Sequence, residues 1–257
     1  MTVMASEPTE RRPFESIQLL GMRFDCVTMD SVLALAGDFI RSGKPHHIVT
    51  GDASMVVSAS QDPELSRIIT NADLVTPDGA GILWATRRVG TPVPAKVSGV
   101  DISERLIALS GEKGWRIFFF GAAPGVADQA AVRMRERYPQ AQIVGTRDGF
   151  FKAEDEPAII AQIREARPDI LLLALGIPKQ EKFIARHREA LGVPVMIGVG
   201  GTLDVFSGTV KRAPVWMQNI GLEWLYRTAS DPKRRIKKLS LLPKFCIMAF
   251  RAGKAGN

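Results

Sequence analysis

Short uninterrupted apolar runs alternate along this chain with longer stretches in which apolar residues return every three or four positions. The runs predict buried strands at 47–49, 73–76, 116–120, 142–145, 169–175 and 195–199. In the first half, helical spacing predicts a helix capped by Thr28, with Val32, Leu33, Leu35, Ala36 and Ile40 on one face and Gly43 at its end. Helical patterns continue through Ser58, over 63–69, and from Asp78-Gly79 through Trp84 to Arg88. In the second half they run from the Gly125 loop to Arg137, over 157–166 and over 179–191. Residues 17–24 read as a strand or a hairpin. Strands alternating with helices in this way predict parallel βαβ units. The expected fold is therefore α/β, a Rossmann-like, mostly parallel sheet flanked by helices in a single compact domain. Ligands of such sheets gather beyond the carboxyl ends of the strands, which directs Thr50, Asp78, Gly121, Gly176 and Gly200 toward one crevice.

Composition refines this into a body and a tail. The 257 residues, 46% of them hydrophobic, suffice for one substantial core. Residues 1–13 are polar and are expected to be disordered, residues 14–226 to form the domain, and residues 227–257 to form a basic C-terminal appendage. Between Arg227 and Lys254 stand nine Lys or Arg and one acid, a net +8 against +7 for the whole chain, so the body is close to neutral. Leu239, Leu241, Leu242, Phe245, Ile247, Met248 and Phe250 are interleaved with these charges, which favours an anionic lipid surface over nucleic acid. Pro243 is expected to prevent a single amphipathic rod. No apolar leader precedes residue 14 and no run is long enough to span a bilayer, so a cytoplasmic protein held peripherally on the inner face of the membrane is expected. Cys26 and Cys246 give no support for a disulfide. A homo-oligomer is left open.

Three loops with glycine follow strands, at 121–125, 176–178 and 198–201, the last including Gly200 and Gly201. Glycine lets a backbone approach phosphate closely, and the helix that follows offers free N–H donors. Neither G-x-G-x-x-G nor G-x-x-x-x-G-K-[ST] occurs, which disfavours a dinucleotide-dependent dehydrogenase and a P-loop enzyme and leaves a nucleoside diphosphate open. Asp78, at a strand's carboxyl end beside Gly79, reads either as the N-cap of the helix after it or as a general base. Gln180, in Lys179-Gln180-Glu181, reads as capping material or as a substrate contact. Asp204 reads as a loop-stabilising carboxylate ahead of a ligand contact, and Trp216, Trp224 and Tyr226 as anchors for the base of the tail ahead of rings that stack on a ligand. His46, His47 and His187 have no ligand spacing and no D-x-D pair occurs, so no metal is expected. Bound diphosphate would then need Lys96, Lys179, Lys211, Arg212 or Arg227.

Taken together, HHIVTGD, ADLVTPDGAGILWATRRVG, KVSGVD, IFFFGAAPGVA, YPQAQIVGTRDGFF, DILLLALGIPKQEKFI, IGVGGTLDVFSG, KRAP and GLEWLYR followed by DPKRR resemble the WecG/TagA/CpsF family of bacterial glycosyltransferases, from about Gly21 to Arg235. The resemblance implies a metal-independent, inverting transferase without a cofactor. Its members move a hexose or N-acetylhexosamine, often N-acetylmannosamine, from a UDP-sugar to a polyprenyl-diphosphate-linked sugar for cell-wall or exopolysaccharide synthesis. By the same resemblance Asp78 would be the base, Thr50, Asp52, Gly79, Lys96 and Gln180 would meet substrate, and Gly121, Gly176, Lys179, Gly200 and Gly201 would meet the nucleotide. Arg212, Arg227 and Arg234 would close over the diphosphate. Two positions depart from the family's usual pattern: Asp52 stands where Asn is common and Lys96 where Arg is common. A non-catalytic nucleotide-binding regulator whose tail holds RNA or an acidic partner is the competing reading.

Overall fold

The computed structural model describes residues 14–214, Met217, Tyr226 and residues 241–255. The described residues begin with an antiparallel hairpin, β1 (Ser16–Leu19) and β2 (Met22–Asp25), turned by Leu20 and Gly21, both at positive φ. Six further strands make one all-parallel sheet: β3 (His46–Gly51), β4 (Leu74–Pro77), β5 (Ile117–Gly121), β6 (Ile143–Arg147), β7 (Ile170–Ala174) and β8 (Val195–Gly198). Their spatial order is β4-β3-β8-β7-β5-β6. Central strands are apolar on both faces because helices cover both, which is why 117–120 and 170–174 are fully buried and read as continuous runs.

Helices fill three packed regions. On one face α1 (Met29–Ser42), α5 (Gly99–Lys113), α6 (Val126–Arg137) and the short α9 (Thr202–Phe206) share a core with Ile117, Phe119, Ile170 and Leu172. On the other, α7 (Glu156–Ala166) and α8 (Lys179–Leu191) cover Phe118, Phe120, Leu171 and Leu173. The third region joins the hairpin to α2 (Ala53–Ala59), α3 (Pro63–Thr70), α4 (Ala80–Arg88) and α10 (Leu241–Ala255). Arg23 of the hairpin forms a buried ion pair with Asp25, whose carboxylate also accepts from the Val75 amide, tying the hairpin to β4.

The α/β alternation matches expectation, and 17–24 is a hairpin. Two α-helices lacked a sequence prediction, the short α9 and the longer α5, the latter capped at Ser98 and ended by Gly114 in the left-handed region. Its buried face includes Gly99, Ser103 and Ser110, which dilute the apolar repeat. The cap reading of Asp78 is corrected. The helix after Asp78 begins at Ala80 with Gly79 as its N-cap, so Asp78 does not cap it. Pro243 lies in the first turn of α10, where a missing N–H removes no hydrogen bond, and the stretch before Leu241 that a single rod would need lies outside the described residues. The expected disorder of residues 1–13 and the remainder of the appendage lie outside the described residues.

Candidate active site

Strand register brings the predicted loops to one edge. Thr50 pairs with Thr76, Gly51 with Pro77, Val49 and Leu173 with Gly198, and Gly121 with Ala174. Asp78 therefore follows β4 immediately beside the end of β3, and its amide donates to the Gly51 carbonyl at 2.9 Å. Its Oδ2 accepts from the Gly99 amide at 3.1 Å, at the start of α5, while the side chain stays partly exposed. The donor is the first amide of that helix, whose N-cap is Ser98. Gly79, at φ 90°, makes the bend that takes the chain into α4, a conformation costly for any residue with a Cβ.

Asp52 is the N-cap of α2, with Oδ1 accepting from the Met55 amide at 2.8 Å and from the Ser54 hydroxyl at 2.6 Å. Asn caps a helix equally well, so the departure from the family's usual residue keeps the cap and changes the other side-chain atom from an amide nitrogen to an oxygen. Thr50 is buried and donates its hydroxyl to the Gly198 carbonyl at 2.8 Å, bridging β3 to β8.

The loops after β7 and β8 are arranged differently from the phosphate cradle expected of them. Gln180 is only 2% exposed, and its Oε1 accepts from the amides of both Gly176 and Gly200, each at 3.1 Å. Its Nε2 donates to the buried Glu181 carboxylate at 2.8 Å. The two glycine N–H groups are thus turned inward onto a side chain, and Gln180 ties the loops together from beneath. Gly121 abuts the β7 backbone so closely that a Cβ would lie 2.5 Å from Ala174. Gly201 caps α9. Lys179 is exposed at the first turn of α8.

A basic side chain is tied to the start of α5. Arg212 pairs with Asp101, which also accepts from the Ser98 hydroxyl, and lies 3.9 Å from Glu104. Burial pushes the Asp101 carboxyl up. Hydrogen bonds from Ser98 and Arg212, with the charges of Arg212 and Lys96, outweigh that and hold it below the usual carboxylate range. Asp101 thereby connects Arg212 to the helix whose first amide holds Asp78, and sequence reasoning missed it. The signal was present in Ser98-x-x-Asp101, an N-cap with an acid in the first turn. Arg147 was also missed: it ends β6 opposite Phe120, beside the 121–125 loop that Gly149 bonds at Ala122. Its buried Nε has no hydrogen-bond partner among the described residues. Arg227, Arg234, Trp216 and Trp224 lie outside the described residues.

A cavity of about 650 Å³ lies on the α5–α6–α9 side, lined among others by Glu104, Arg133, Arg137, Lys211, Arg212 and Tyr226. Among the described residues its lining includes neither Asp78 nor the glycines of the three loops, so it is a recess beside the strand-end cluster, connected to it through Arg212 and Asp101. No group of three or more His, Cys, Asp or Glu among the described residues is placed to hold a metal ion.

Residues 17–257 match the glycosyl transferase WecG/TagA/CpsF family. The chain belongs to this family. It is a glycosyltransferase, and the carboxyl-edge cluster holds the residues that the resemblance marks for catalysis. A curated relative from Bacillus spizizenii strain W23 is 33% identical over 217 residues, 84% of this chain and 83% of the relative. Another, from Bacillus subtilis strain 168, is 34% identical over 207 residues, 80% of each chain. Both are N-acetylglucosaminyldiphosphoundecaprenol N-acetyl-beta-D-mannosaminyltransferases.

Proposed function

We propose that this glycosyltransferase moves an N-acetylhexosamine, with N-acetylmannosamine the first candidate, from a UDP-sugar to a sugar carried on a polyprenyl diphosphate during cell-wall or related polysaccharide synthesis. The names of the two relatives support the acceptor class and the sugar. The observation that carries the reading is Asp78: a partly exposed carboxylate at the carboxyl edge, not engaged in capping its own helix and held by the first amide of α5.

In this mechanism Asp78 accepts the proton of the acceptor hydroxyl as that oxygen attacks the anomeric carbon. The bond from carbon to the diphosphate oxygen breaks, UDP leaves with the electron pair, and the configuration inverts. The leaving diphosphate gains charge as the bond breaks, so cations near it act mostly in the transition state. Lys96, Arg147, Lys179 and Arg212 are the described candidates, with Arg227 and Arg234 from the appendage, and no metal ion is invoked. The basic appendage would hold the protein peripherally on the inner leaflet, where the lipid-linked acceptor lies. Among the described residues no helix is long and apolar enough to cross a membrane.

The test is Asp78→Asn, assayed with UDP-N-acetylmannosamine and a polyprenyl-diphosphate-linked N-acetylglucosamine. Removal of a general base is expected to lower turnover by about 10²- to 10⁴-fold while UDP binding persists. Near-parental turnover would remove Asp78 from the role.

A further inference from the structure

Three of the exposed large apolar side chains lie on two helices that pack together. Trp84 on α4 is 38% exposed, and Ile247 and Phe250 on α10 are 52% and 49% exposed. Trp84 and Phe250 meet edge to face with ring centroids 5.4 Å apart, and the Arg88 guanidinium lies 5.3 Å from the centre of the Phe250 ring. Beneath this surface, Phe245 and Ala249 are buried in the core that α2, α4 and the hairpin share. The α10 helix is thus docked on the body, and its outer face is continuous with that of α4.

Charge indicates what covers this surface. Neither α4 nor α10 contains an acidic residue. Exposed Arg87 and Arg88 on α4 and Arg251 on α10 border the aromatic pair. A second copy meeting this face through a twofold axis would set these arginines against one another. An anionic leaflet meets every requirement: lipid for the rings, phosphate for the guanidiniums, and interfacial depth for a Trp.

We propose that α4 and α10 form one composite docking surface for an anionic bilayer, with Trp84 and Phe250 entering the interface and Arg87, Arg88 and Arg251 at headgroup level. This deepens the reading of a peripheral enzyme, on which it rests, by assigning half of the contact to the body of the protein. Trp84 stands four residues beyond Ala80, about 6 Å along the helix, and Asp78 lies just before that helix. The surface therefore holds the crevice close to the depth at which a lipid-borne diphosphate emerges.

The experiment is co-sedimentation of the full-length protein with vesicles of phosphatidylcholine and phosphatidylglycerol, and with phosphatidylcholine alone. Trp84→Glu, with the tail intact, is expected to weaken binding to the mixed vesicles by about tenfold. Arg87→Glu with Arg88→Glu is expected to do so by at least that, since each lost surface cation costs about fivefold. Phe150→Glu, at a side chain 70% exposed on the loop after β6, is the control and should bind as the parent does. Transfer to a short-chain, water-soluble acceptor should stay near parental in all three, which also reports that the variants fold. Parental vesicle binding by Trp84→Glu and by the double variant would overturn the proposal, as would equal binding to the two kinds of vesicle. A change of oligomeric state with vesicle binding retained would reassign the face to a protein partner and overturn it too. If the parent protein turned over no UDP-sugar while the vesicle responses held, the activity reading would fail and the surface would stand.

Discussion

The two halves of the carboxyl edge use the same kind of loop to opposite ends. After β7 and β8, glycine amides point inward and are consumed by Gln180, so those loops form a braced wall. After β3 and β4, the donor that meets the Asp78 carboxylate comes from a different helix, α5, and the acid remains partly exposed. A glycine loop at a strand end is therefore not evidence of a phosphate site until its N–H groups are traced. The β7–β8 half is thus braced from within, while the β3–β4 half presents the partly exposed Asp78 carboxylate.

The contrast is most easily broken at Gln180. Gln180→Ala leaves the Gly176 and Gly200 amides without their acceptor, and the expected loss is about 1–3 kcal/mol. For a protein of this size that lowers Tm by about 2–12 °C. A melt showing parental stability together with lost turnover would instead make Gln180 a substrate contact and undo the division between wall and reacting half.

Asp101 offers a smaller effect on the other side. Its carboxyl is held below the usual range when folded, so its contribution to stability is complete above the unfolded value near 4 and is lost as pH falls through the lowered folded value. Asp101→Asn should flatten that acid limb in a series of melts across pH 2–5, cost about 1 kcal/mol at neutral pH, and raise the UDP-sugar concentration needed for half-maximal rate by freeing Arg212. An unaltered acid limb would show that Asp101 does not couple the two elements.

Smallest in stability is Asp52→Asn. Both residues cap, so Tm should move by less than about 1 °C. The ranking of donor sugars in a competition assay is what should change, because one hydrogen-bond acceptor becomes a donor. An unchanged ranking would leave Asp52 as a cap alone.

Much of the fold was legible because strands covered on both faces must be apolar throughout, as in Ile117–Gly121 and Ile170–Ala174. The α5 helix was not, because part of its buried face is serine: Ser103 and Ser110 satisfy their hydroxyls on Gly99 and Ile107 carbonyls of the same helix and so pass as polar residues in the sequence. The position of Asp78 at a strand end could be read directly. Its partner could not, since Gly99 lies 21 residues on, at the start of that same unassigned helix. The Gln180 brace depends on β7 and β8 being neighbours, a fact of topology that local spacing does not carry.

The packing of α10 has a consequence for how the protein is made. Leu19, Met22 and Phe24 of the first hairpin share their core with Phe245 and Ala249. A ribosome translating this message exposes the apolar surface of the hairpin long before its cover in α10, which follows only after about 225 further residues have been joined, so that part of the molecule closes late and chaperone demand should be concentrated there.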